Sequence, residues 1–188
     1  MTIQDALIYI GEKLNEENII WGLGGSLLLN QYDLAENPRD IDILVAIKDV
    51  DRADAILKKL GSKTDFTPSS LYETDYFYEY VINGCDVDLM AGLSIKHEAG
   101  IFDYLFDVQC ISRLIDMKGV SIPLSPLEDW YVLYQMMKNK EAKIKAIEDY
   151  LLSAGSIRMD LLQRSLSGNL PKEVKARVEK LIASVALL

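Results

Sequence analysis

Two short stretches of this chain place a carboxylate at every second residue of an otherwise apolar run: Asp40-Ile41-Asp42-Ile43-Leu44-Val45 and Asp86-Val87-Asp88-Leu89-Met90. A period of two is the pattern of a β-strand with one covered and one wet face. Ile41, Ile43 and Val45 share one face of the first strand, and Asp40, Asp42 and Leu44 share the other. Two like charges side by side on a covered face are costly unless a cation neutralises them. An edge strand solvated by water carries them without that need, and each stretch taken alone reads as readily that way.

The rest of the chain supplies helices and turns around these strands. Ile3, Leu7, Ile10 and Leu14 fall at helical spacing. Ile19 to Leu23 is a short apolar strand, broken by Gly24-Gly25-Ser26, after which Leu27-Leu28-Leu29 opens a helix. Asp33 to Arg39 is polar, holds Pro38 and reads as a loop, with the strand over Asp40 to Ile47 beyond it. Asp49 is placed to cap a helix over Val50 to Leu60, which Gly61 can end. Tyr76 to Val81 and Cys85 to Met90 read as strands joined by the Asn83-Gly84 hairpin signal. Ala91 to Pro123 is less distinct: a further strand pair or a short helix, with a turn at Lys118-Gly119. Ser125-Pro126-Leu127-Glu128 has the form of a capping box with proline at the first helical position. Leu127, Trp130, Tyr134 and Met137 follow at helical spacing, and further helices are expected over Glu141 to Ser153, Arg158 to Ser167 and Lys172 to Leu187. An α/β domain over residues 1–123 and a helical part over residues 124–188 are the expected organisation.

Composition narrows the chemistry. The chain has 188 residues, 49% hydrophobic and 26% charged, enough to bury a sizeable core. Its net charge of -9 repels a phosphate backbone at long range and disfavours nucleic acid as a partner, while leaving room for a local basic pocket. His97 is the one histidine, and Cys85 and Cys110 are two cysteines without metal-ligand spacing. A multi-histidine metal site or a Ser–His–Asp triad with a spare base is therefore hard to build. Met1 to Asp5 lacks a basic leader, and no apolar run reaches the roughly 18 residues a membrane helix requires. A cytoplasmic protein with no membrane partner is expected.

Three features carry chemistry when read together. Glycines at Gly24-Gly25-Ser26 let backbone amides turn toward an anion at a helix start, and the serine hydroxyl can donate to a phosphate oxygen. Thirteen residues separate Ser26 from Asp40. Asp40 and Asp42 point the same way from their strand, close enough to share a metal, and a later strand returns with Asp88. Alone, the turn reads as an ordinary turn.

The words Gly24-Gly25-Ser26, Asp40-Ile41-Asp42 and Val87-Asp88-Leu89 together resemble the DNA polymerase beta-like nucleotidyltransferase superfamily, over about residues 18 to 90. The helical tail, with Leu127-Glu128-Asp129 after its proline, looks like that of the small stand-alone members, the antibiotic and toxin–antitoxin nucleotidyltransferases. The resemblance implies a mixed sheet with flanking helices, an α/β (α+β) fold, followed by a helical bundle. It implies transfer of a nucleoside monophosphate from a nucleoside triphosphate, ATP among the candidates, to an acceptor hydroxyl on a small molecule or protein, with release of pyrophosphate. Asp40, Asp42 and Asp88 would hold magnesium, two ions in all. Gly24, Gly25 and Ser26 would take the phosphates, and Asp88 would help remove the acceptor's proton. Magnesium's taste for hard oxygen ligands agrees with this donor set.

Other residues admit two readings. Arg39 is either a phosphate ligand or a surface charge facing away from the acids. Lys138, Lys140, Lys143 and Lys145 form either a solvated helix face or a basic cluster closing over phosphates. Tyr72, Tyr76, Tyr78 and Tyr80 are packing residues or, less simply, a stacking platform; Trp21 and Trp130 read as core and His97 as a loop residue. The competing function is a non-catalytic nucleotide-binding or antitoxin-like regulatory module of the same fold with a protein partner. A degenerate site has no physical reason to keep three crowded carboxylates, which disfavours it.

Overall fold

A computed structural model describes residues 2–64, 74–154 and 157–185. Tyr72 and the last residues of the expected C-terminal helix, Ala186 and Leu187, lie outside the described residues. The chain opens with α1 (Ile3–Glu16), then β1 (Trp21–Leu23), α2 (Gly25–Asn30), β2 (Asp40–Val45), α3 (Val50–Leu60), β3 (Ser62–Thr64), β4 (Tyr76–Ile82) and β5 (Cys85–Ala91). Two hairpins fill the stretch the sequence left open: β6 (Leu93–His97) with β7 (Gly100–Tyr104), and β8 (Arg113–Met117) with β9 (Val120–Leu124). Four helices complete it: α4 (Leu127–Gln135), α5 (Glu141–Ala154), α6 (Met159–Leu166) and α7 (Lys172–Val185).

Seven strands form one mixed sheet in the order β3-β4-β5-β2-β1-β9-β8, and β6 and β7 pair apart from it. At its centre β2 and β5 run parallel, so Asp40 stands beside Asp86 and Asp42 beside Asp88. The alternation then decides which face each residue takes. Ile41, Ile43, Val87 and Leu89 are buried with Leu7, Ile10, Leu14, Ala53 and Leu57 of the helices beneath. Tyr76, Tyr78 and Tyr80 share that face, because Tyr80 is paired with Val87 and Tyr78 with Leu89. They therefore stand on the opposite side of the sheet from Asp88. Tyr80 is buried and its hydroxyl donates to Asp54 of α3 at 2.5 Å, which makes these tyrosines packing residues and removes the stacking platform.

Turn chemistry sets the hairpins. Asn83 and Gly84 have φ of 54° and 78°, and Lys118 and Gly119 of 55° and 86°, the double positive φ that two-residue hairpins use. Asp49 is the N-cap of α3, as expected, but its carboxylate makes no capping bond to that helix and accepts from the Ile20 amide at 3.1 Å and from Arg52 at 3.2 Å. The second capping expectation is corrected. Ser125 does not cap α4, whose N-cap is Pro126. Its hydroxyl instead donates to the Leu23 carbonyl at 2.6 Å and accepts from the Trp130 indole at 2.8 Å. Glu128 reaches the Arg158 amide at 2.8 Å, ahead of α6. The Ser125–Leu23 bond ties the start of the helical part to β1, and the Glu128–Arg158 bond ties α4 to the start of α6.

Every residue of α4 from Leu127 to Tyr134 is buried. The apolar core accordingly runs without a break from the sheet into α4 to α7. Among the described residues, no helix is long and apolar enough to cross a membrane.

Candidate active site

The Gly24-Gly25-Ser26 turn passes over the end of β2, and the geometry requires its glycines. Gly25 has φ +61°, and a Cβ there would stand 1.6 Å from Asp42 Oδ2. A Cβ on Gly24 would meet the Trp130 ring at 2.2 Å. Backbone thus lies directly against a carboxylate on one side and an indole on the other, an approach only glycine allows. The Gly24 amide donates to the Asp42 carbonyl at 2.9 Å, and the Ser26 amide donates to the Asp42 carboxylate.

A cavity of about 250 Å³ opens above this turn. One wall is polar: Gly25, Ser26, Asp40, Asp42, Asp88, Lys140 and Lys143. The other is apolar: Phe77, Met90, Leu93, Trp130, Tyr134 and Met137. Gly24 lies beneath the turn, packed on Trp130. Arg39 is exposed and does not line this cavity. It lines an adjoining depression of about 340 Å³ with Thr64, Glu79 and Asp86, and the two hollows share Asp40 and Asp88 as their common wall.

The acids crowd one another. Burial pushes the Asp42 carboxyl up to about 7; Asp40 beside it adds to the rise, while Lys143 and Lys140 oppose it. Asp88 is also pushed up to about 7, first by burial and then by Asp42, Asp40, Glu79 and Asp86. Asp86 itself is exposed, whereas Asp88 is half-buried. Across the cavity, Lys143 of α5 reaches the Ser26 hydroxyl, Nζ to Oγ 2.5 Å. Burial and the nearby Lys140 hold its ammonium below the usual lysine range.

The donor set suits magnesium in kind, since its carboxylate oxygens are hard ligands. Among the described residues, no group of three or more His, Cys, Asp or Glu side chains is arranged to hold a metal ion.

Sequence reasoning named the turn and the acids, which the fold gathers into one cavity. It left open Lys143 of α5 and Lys140 just before that helix, and passed over the apolar wall. The one signal for that wall was the helical spacing of Trp130, Tyr134 and Met137, which is shared with any core helix. His97 closes β6; its Nε2 meets the Asn169 carbonyl at 2.8 Å and its Nδ1 accepts from the Ala99 amide, a structural role.

No protein-family profile and no curated protein sequence matches the chain. Solved structures do. A candidate nucleotidyltransferase from Thermotoga maritima is 24% identical, over 78% of this chain and 91% of that one, with a TM-score of 0.61. ANT(2")-Ia, solved with adenylyl-2"-tobramycin, is 14% identical over 98% of both chains, TM-score 0.57. The lincosamide antibiotic adenylyltransferase LnuA, bound to lincomycin, is 17% identical over 77% of this chain and 95% of that one, TM-score 0.52. The mixed sheet and its helices are therefore those of the nucleotidyltransferase fold, and this chain is a small protein of that fold.

Proposed function

We propose that the chain is a magnesium-dependent nucleotidyltransferase that moves a nucleoside monophosphate from a nucleoside triphosphate to a hydroxyl of a small molecule. The observation that carries this reading is the register of β2 and β5. It sets Asp42 beside Asp88 at one wall of a cavity whose floor is the Gly25–Ser26 backbone. The acceptor oxygen attacks the α-phosphorus, the bond to the bridging oxygen of the β-phosphate breaks, and pyrophosphate leaves. Magnesium, when bound, neutralises the leaving group and lowers the pKa of the attacking hydroxyl. Asp40 and Asp42 would be protein ligands of one ion and Asp88 of a second. Gly25 and Ser26 would hold the phosphates in line, and the position of Asp88 at the boundary between the two hollows supports its taking the acceptor's proton. The antibiotic acceptors of ANT(2")-Ia and LnuA favour a small-molecule hydroxyl.

The test is incubation with magnesium, cell extract and a triphosphate labelled on the α- or the γ-phosphate. The reading expects α-label in an acceptor and γ-label in pyrophosphate. Release of γ-label as inorganic phosphate alone would make the chain a hydrolase and overturn it.

A further inference from the structure

A third hollow, of about 390 Å³, lies where the chain beyond α2, the start of β8 and helices α4 and α5 come together. It shares no residue with the active cavity. Its floor is apolar, with Leu127 of α4 and Leu151 of α5 both buried. One wall is aromatic: the Tyr32 and Tyr150 rings meet edge to face, with centroids 5.3 Å apart.

Two charges of opposite sign border this space. Glu128 is 6% exposed, yet among the described residues it forms no ion pair; one carboxylate oxygen accepts from the Arg158 amide at 2.8 Å, and the other has no hydrogen bond. Arg113, the first residue of β8, has neither an ion pair nor a hydrogen bond among the described residues. Other arginines of this acidic chain do have carboxylate partners: Arg52 pairs with Asp49, Arg164 with Asp107 and Arg177 with Glu141. Arg158 also lines the hollow, but Asp160 already holds its Nε at 2.9 Å and its Nη2 at 2.6 Å. Burial raises the pKa of the Tyr32 hydroxyl, and the two charges then act on it in opposite senses, Arg113 lowering it and Glu128 raising it. Both therefore lie within electrostatic reach of the aromatic wall. A ligand with a carboxylate alone would meet Arg113 but face Glu128 unpaired. A ligand with an amine alone would meet Glu128 but face two guanidinium groups. A zwitterion gives each charge a charge-assisted partner, and being neutral overall it is not repelled by a chain of net charge -9.

We infer that this hollow binds a free amino acid with an apolar side chain. Its ammonium meets Glu128, its carboxylate meets Arg113, and its side chain lies against the two tyrosines and the two leucines. A volume of about 390 Å³ is near the lower end for small-molecule pockets and suits a ligand of that size. The inference does not rest on the nucleotide reading.

Calorimetry on the full chain, without nucleotide or metal, decides it. The probes are L-phenylalanine, L-leucine, phenethylamine and 3-phenylpropionate; the last two keep the ring and one charge each. The expected result is saturable binding of L-phenylalanine or L-leucine, with phenethylamine and 3-phenylpropionate at least about tenfold weaker, the scale of one charge-assisted contact. Arg113→Gln and Glu128→Gln are each expected to weaken amino-acid binding by at least about tenfold as well. Absence of saturable binding for both amino acids would overturn the inference. So would equal affinity for the amine or the acid, or unchanged amino-acid affinity in either folded variant. Glu128 is buried, and should Glu128→Gln fail to fold, Arg113→Gln at an exposed strand end carries the same comparison.

Discussion

Asp42 and Asp88 are neighbours on parallel strands, and Asp42 adds to the cost of ionising Asp88. Asp42→Asn keeps the volume and removes a charged ligand, so activity is expected to fall by about two orders of magnitude or more with little change in fold. Turnover of the purified variant measures it, and near-normal turnover would move the chemistry elsewhere. Asp86 and Asp88 share a strand face but differ in depth. Asp86→Ala is expected to keep most activity, because water already solvates that carboxylate. Asp88→Ala is expected to abolish transfer and, without magnesium at pH 8, to raise the melting temperature by relieving repulsion with Asp42 and Asp40, about 2–4 °C for each kcal/mol recovered. The reverse pattern of activity would mean that Asp86 is the working acid. Both residues are visible in the sequence as members of an alternating run, and the place of Asp86 beside the Asn83-Gly84 turn marks it there as the solvated one, which the burial of β5 bears out.

Elements meet at the β1–α2 turn, and Ser125 ties α4 to it. Replacing Ser125 by Ala removes the acceptor of the buried Trp130 indole N–H and leaves that donor unpaired, a loss expected to cost about 1–3 kcal/mol in denaturant unfolding. Trp130 packs on Gly24, so the same variant is expected to loosen the turn and raise KM for the triphosphate more than it lowers kcat. Stability within error of wild type would show that the bond carries nothing. Period-two and period-3.6 patterns made β2, β4, β5, α1 and α3 legible, because one face of each is wet. The β8–β9 hairpin is indistinct in the sequence because the outer strand β8 buries none of its residues fully; β6 and β7 do alternate in burial, but each is only five residues long. Asp49 holds the N-cap position and Ser125 does not, but neither side chain caps its helix, for one physical reason: a hydroxyl or carboxylate before a helix caps it only if no other buried partner competes. Here the Leu23 carbonyl, the Trp130 indole and the Ile20 amide take those bonds. Lys143 of α5 and Lys140 just ahead of it could not be told from a solvated face, since the docking of α5 decides which side meets the sheet.

At the scale of the molecule, buried acids make stability depend on pH. Burial pushes Asp129 up to about 7, with the Tyr104 hydroxyl donating to it at 2.6 Å. A carboxyl raised in the folded state binds its proton more tightly folded than unfolded, so its contribution favours the fold at acid pH. That contribution falls away as pH rises from the unfolded value near 4 through about 7. Asp129→Asn keeps an acceptor for Tyr104 and does not titrate. The variant is expected to gain stability relative to wild type between pH 5 and pH 8, read from urea unfolding with saturating magnesium and ATP so that Asp42 and Asp88 are held constant. Parallel curves for the two proteins would contradict this. The whole account rests on carboxylates and phosphates that repel until a cation stands between them. Calorimetric titration of ATP into the wild-type chain, once with magnesium and once with excess chelator, addresses that directly. Binding that appears with the ion and vanishes with the chelator is the predicted result, and equal affinity in both would contradict it.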